Sequence, residues 1–177
     1  MNSSLRFVVG IDPGRFGGVV ALDIQHPQAF LFCVSIPRTV HTFRRLLDTW
    51  VGPHETLIFV EDETSSPGSS PASAFTFGME FQRCLDAAGG YETVMVRPIE
   101  WQCKMGCRTR GDKNVTLRAA RNLFPGHESI LTNETADAAL IAAYGLERVE
   151  MAKNRLGKPE ISVVDFRTFE VQSKKRD

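Results

Sequence analysis

The chain has 177 residues, with 21 Lys+Arg against 21 Asp+Glu, 42% hydrophobic and 24% charged. That composition is globular and long enough for one domain with a real core, and it excludes a disordered chain or a fold of two large lobes. A formal net charge of zero argues against bulk, nonspecific polyanion binding, but says nothing about how the charges are distributed.

No run of about eighteen apolar residues occurs, so neither a membrane span nor a membrane partner is expected. The polar start MNSS leads straight into a strand-like run, so no signal peptide is expected and an intracellular location follows. Residues 5–12 (LRFVVGID) read as a buried strand, closed by the turn residues Pro13, Gly14, Gly17 and Gly18. Residues 18–24 (GVVALDI) and 29–36 (AFLFCVSI) give two more strands, split by the polar, Pro-containing QHPQ. Three strands with short connections predict an antiparallel meander. Residues 39–51 follow as a helix, with Val40, Phe43, Leu46, Leu47 and Trp50 at helical spacing and Thr39 or Thr42 as its cap.

Residues 57–61 (LIFVE) are apolar enough for a central parallel strand. A Ser/Pro/Gly loop spans 64–73, and a helix over 74–88 stops at Gly89-Gly90. A short strand (93–96), a short helix (98–105), a basic loop (107–112) and a helix (113–124) stopped by Pro125-Gly126 come next. The last strong helix is 133–152, with Asn133 as candidate cap, and Gly157-Lys158-Pro159 breaks the chain after it. The tail from 160 is expected to add a strand at ISVVDF and ends in a basic run. This order predicts an α/β fold: a mixed sheet with helices on both faces, whose ligand site lies beyond the carboxyl ends of the strands.

Acidic residues stand at those ends. Asp12 closes the first strand and Glu61 the central one; if the two strands are neighbours, both carboxylates leave the sheet at one edge. Glu134 and Asp137 are three apart on a helix, so they share a face. At about 4 Å a like-charged pair costs roughly 4 kcal/mol at an effective dielectric near 20, so such a set needs protons or cations. Hard oxygen ligands suit Mg²⁺ or Mn²⁺, and two such ions can drive phosphodiester hydrolysis. Each acid also has a plain reading. Asp12 is a turn Asp in IDPG, Glu61 is the first solvated residue past a strand (with Asp62 or Glu63 able to take its role), and Glu134 complements a helix N-terminus. The plain reading is weakest for Asp137, which stands in the apolar run ADAALIAAYG.

Between residues 97 and 121 the local net charge is +5, carried by Arg97, Lys104, Arg108, Arg110, Lys113, Arg118 and Arg121 against Glu100 and Asp112. A basic patch beside a carboxylate cluster suits a phosphate backbone held across a metal site, with Lys104 and Lys113, flanking a Gly-containing loop, as the better phosphate candidates. For Arg118 and Arg121 a solvated helix face serves as well. Cys33, Cys84, Cys103 and Cys107 have no framework spacing, so reduced thiols are the default. Cys103 and Cys107 with His127 lack the second ligand pair that a zinc site needs.

Together these residues resemble a family. VVGIDPGRFGGVVALD looks like the first strand and hairpin of RuvC-type Holliday-junction resolvases, LIFVE like their second acidic strand, and ETADAALIAAYG like their last helix. The stretch from Lys104 to GDKNV resembles the pair of lysines before the penultimate helix, and RNLFP resembles phage and chloroplast relatives. The resemblance covers about residues 5–146. It implies an RNase H-like five-stranded mixed sheet and a nuclease domain over 1–152, leaving 153–177 as a tail without counterpart. It implies a homodimer that nicks two strands of a four-way DNA junction with two Mg²⁺ or Mn²⁺ per site. Asp12, Glu61, Glu134 and Asp137 match the metal-binding catalytic acids, and Lys104 and Lys113 the phosphate-contacting lysines, with Arg108 and Arg110 between them as further DNA contacts. Two alternatives stay open: an RNase H- or YqgF-like nuclease acting on RNA or hybrids, and a junction binder that cuts nothing.

Overall fold

A computed structural model describes residues 4–62, 70–109, 112 and 114–174. Five strands form one sheet in the order β3-β2-β1-β4-β5. Strands β1 (Phe7–Ile11), β2 (Gly18–Asp23) and β3 (His26–Ser35) pair antiparallel as the expected meander. Strands β4 (Thr56–Glu61) and β5 (Glu92–Val96) extend it in parallel on the other side of β1. Every residue of β1, β2 and β4 is buried, as befits strands covered on both faces.

Helices cover both faces. On one side, α1 (Val40–Trp50) and α2 (Pro71–Ala88) close a core of Phe7, Val9, Ile11, Phe43, Leu47 and Ile58. On the other, α3 (Pro98–Lys104), α4 (Asn114–Leu123), α5 (Ala136–Leu156) and α6 (Val163–Lys174) close a second around Val8, Phe59, Trp101, Phe124 and Leu140.

The structure departs from the sequence expectations in particular places. Strand β3 starts at His26, so the QHPQ segment lies mostly inside it; β3 is an edge strand, where Pro27 has an outward side on which no amide is needed. Thr39, not Thr42, caps α1, accepting from the Thr42 amide at 3.1 Å. Helix α2 starts at Pro71, and residues 63–69 of the expected loop lie outside the described residues. Asn133 does not cap α5. Thr135 holds that position; the Thr132 amide donates to its hydroxyl, and the Thr135 amide donates to the Thr132 carbonyl.

ISVVDF is not a strand. Ser162 and Asp165 form a reciprocal capping box, each side chain accepting from the other's amide, at 2.9 and 3.2 Å, and they launch α6. Residues 153–174 are therefore not detached: α5 runs on to Leu156, and α6 places Phe166 edge-on to Phe59 of β4, with ring centroids 6.1 Å apart. Among the described residues no helix is long and apolar enough to cross a membrane.

Candidate active site

Asp12 directly follows β1, and Glu61 ends β4. The two strands pair in parallel with Ile11 beside Val60, so both acids leave the sheet at the same edge. The Asp12 carboxylate accepts from the Gly14 amide at 3.2 Å, and the Asp12 amide donates to the Gly18 carbonyl at 3.0 Å. These bonds close a tight turn. A Cβ on Gly17 would lie 1.9 Å from the Asp12 carbonyl oxygen, so only glycine fits there.

Helix α5 delivers the other two acids. It runs against the direction of β1: Gly145 lies over Val8, while Ala138 and Ala142 lie over Gly10. A Cβ on Gly10 would come within 2.2 Å of the Ala138 carbonyl oxygen, so this contact is backbone against backbone. The first turn of α5, which carries Asp137, therefore reaches the level of Ile11 and Asp12. Glu134 precedes the helix, in the turn that leads into it. Its backbone packs on Gly18, and its carboxylate accepts from the Ser35 hydroxyl at the end of β3.

Glu61 is only 6% exposed. Its Oε1 accepts from the indole Nε1 of Trp101 on α3, at 2.8 Å. Neither Trp101 nor Ser35 carries a local signal in the sequence for these contacts. Among the described residues, no group of three or more His, Cys, Asp or Glu is drawn close enough to hold a metal ion.

The donor chemistry at this edge fits a hard divalent ion. It consists of carboxylate oxygens, and the nearby thiols do not compete. Burial pushes Cys84 up to about 12, with Asp12 adding to the shift. Burial, followed by the charge of Asp137, pushes Cys107 up to about 11. Both thiols therefore stay protonated at neutral pH, which makes them poor metal ligands.

The basic segment is largely engaged with its own chain. Lys104, the last residue of α3, pairs with Glu147 of α5 at 3.0 Å. Arg97 pairs with Glu100, Arg118 stands 3.8 Å from Asp112, and Arg121 donates to the Leu131 carbonyl. Arg108 is exposed beyond α3. Arg110 and Lys113 lie outside the described residues.

Two solved structures share this architecture. RuvC of T. thermophilus in complex with Holliday junction substrate superposes with a TM-score of 0.57 at 18% identity, covering 89% of this chain and 99% of that one. A second Thermus thermophilus RuvC structure gives 0.52 at 15% identity, with the same coverage. The chain has the RNase H-like fold of RuvC. No protein-family model matches the sequence, and no curated protein does either. The likeness to RuvC is thus one of architecture, over 89% of this chain.

Proposed function

We propose that this chain is a divalent-metal-dependent, structure-selective endonuclease that resolves four-way DNA junctions as a homodimer. The observation that carries the reading is the convergence of Asp12 and Glu61, from neighbouring parallel strands, with the first turn of α5 bearing Asp137. Support comes from the shared fold with a RuvC whose solved complex contains a Holliday junction.

Asp12, Glu61, Glu134 and Asp137 would hold the cations. The chemistry that bound divalent ions supply at such a set is activation of an attacking water and neutralisation of charge on the leaving oxygen. The chain's own residues do the positioning. The Gly14–Gly18 turn fixes Asp12 against the strand edge, and the Trp101 indole fixes Glu61. Lys104 and Arg108 would contact the DNA backbone. An exposed ion pair such as Lys104–Glu147 is worth about 0–1 kcal/mol, so an approaching phosphate readily replaces Glu147. Arg110 and Lys113 would extend the same phosphate track. Helix α2 supplies a face for a second copy: Phe75 is 71% exposed and Met79 59%, while Phe81 turns inward to the core.

A mobile four-way junction incubated with the protein and Mg²⁺ tests this. Paired nicks with 5′ phosphates that a ligase reseals are expected, with little cutting of an RNA–DNA hybrid or a structured RNA. Asp12→Asn should lower the rate by on the order of 100-fold or more, and mixing it with unchanged chains should yield singly nicked junctions. Unchanged cleavage by Asp12→Asn would sink the assignment, and preferential cutting of the hybrid would move it to the RNA-directed reading.

A further inference from the structure

Of the acids at the sheet edge, Glu61 is the one most withdrawn from water, at 6% exposure. A carboxylate in that position is costly unless it is hydrogen-bonded. The donor comes from 40 residues away: Trp101, itself fully buried, presents its Nε1 to Glu61 Oε1 at 2.8 Å. An indole N–H donates and never accepts, so the bond has one polarity only. The ring is clamped in the core with Val96, Cys107 and Phe124, so its N–H has one direction. A carboxylate offers about four lone-pair sites, and a rigid donor fixes the direction of the one it occupies.

We propose that Trp101 is a positioning residue, whose indole N–H holds the Glu61 carboxylate in the orientation in which it takes up a divalent cation. This rests on the metal-dependent reading above. Phenylalanine would fill the same apolar space, so core packing alone does not call for the nitrogen. The nitrogen serves the carboxylate. Because Trp101 sits on α3, three residues before Lys104, the same bond also ties the helix that bears a phosphate-holding lysine to the carboxylate.

The arrangement contains its own reporter. The chain has two tryptophans, and the other, Trp50, is 52% exposed at the end of α1 on the opposite face of the sheet. In a full-length Trp50→Phe protein, Trp101 is the sole indole, and Ca²⁺ can be titrated without cleavage chemistry or paramagnetic quenching. A saturable change in emission is expected, at the concentration where calorimetry detects Ca²⁺ binding, and Glu61→Gln in that background should abolish it. Trp101→Phe should weaken Ca²⁺ binding by about 10- to 100-fold, as loss of a ligand's supporting hydrogen bond does, while melting cooperatively. If that variant does not fold, the emission titration of the Trp50→Phe protein decides alone. Calorimetric Ca²⁺ binding with no emission change, or Trp101→Phe binding Ca²⁺ as tightly as the unchanged chain, overturns the role of Trp101 and leaves the metal-dependent reading standing. No Ca²⁺ binding by the unchanged chain removes both.

Discussion

A side chain's partner decides its role here more than its type does. Glu61, Glu134 and Asp165 are all carboxylates, yet each is held by different donors: an indole, a hydroxyl, and a Lys–Ser set. Asp165 is structural. Lys158, then the Ser162 amide and hydroxyl, hold its carboxyl down from 3.8 to about 2. A depressed folded-state value means that stabilisation is full above the unfolded value and is lost as pH falls through the folded one. Asp165→Ala should therefore cost about 1 kcal/mol at neutral pH, the usual worth of a helix cap. Thermal melts should show that difference persisting at pH 5 and shrinking as the pH approaches 2. Asp137 stands out in the sequence because a charge inside ADAALIAAYG has no cheap structural explanation. The Trp101 bond was not legible, because a tryptophan in a short helix looks the same whether or not its nitrogen meets a carboxylate.

At the scale of elements, the site depends on how closely α5 approaches β1. Small residues allow it: Gly10 on the strand meets Ala138 and Ala142 on the helix, backbone to backbone. Gly10→Ala would place a methyl carbon 2.2 Å from the Ala138 carbonyl oxygen. The helix must then move, at a cost of about 1–3 kcal/mol or more, and Asp137 moves away from Asp12 with it. A lower melting temperature together with a disproportionate loss of junction cleavage is expected; full activity at a reduced melting temperature would show that the close approach serves stability alone. The apolar stripe of α5 was visible in the sequence. Its start was not, because Asn133 and Thr135 are both good capping residues, and the packing of Glu134–Thr135 on Gly18 selects between them. Helix α6 was misread as a strand because Val163 and Val164 are β-branched. The Ser-x-x-Asp box that encloses them was the local signal for a helix, and burial of Phe166 and Phe169 supplies the energy that propensity lacks.

For the whole molecule, the balance of 21 positive and 21 negative charges takes on a geometry. Asp12 and Glu61 leave the sheet at one edge, while Lys104, Arg97 and Arg118 are paired with acids of their own chain. Junction affinity should therefore be stronger in Ca²⁺ than in EDTA, because bound cations reverse the sign of the edge that phosphate must approach. A gel-shift titration checks this, and equal affinity in the two conditions would count against a metal site at that edge.

The sequence by itself determined the elements that repeat a local rule: the buried runs of β1, β2 and β4, the periodic faces of α1 and α5, and an acid at the end of each central strand. Those follow from burial and backbone geometry, which act over a few neighbouring residues. The tertiary structure alone decided what meets across distance. Strand order β3-β2-β1-β4-β5 makes β1 and β4 neighbours, which is what brings Asp12 and Glu61 to one edge. It also set Trp101 against Glu61, closed the sheet face with α6 and gave Lys104 its acidic partner. Each of those contacts joins residues far apart in the chain, and its energy exists only once both cores have closed around the sheet.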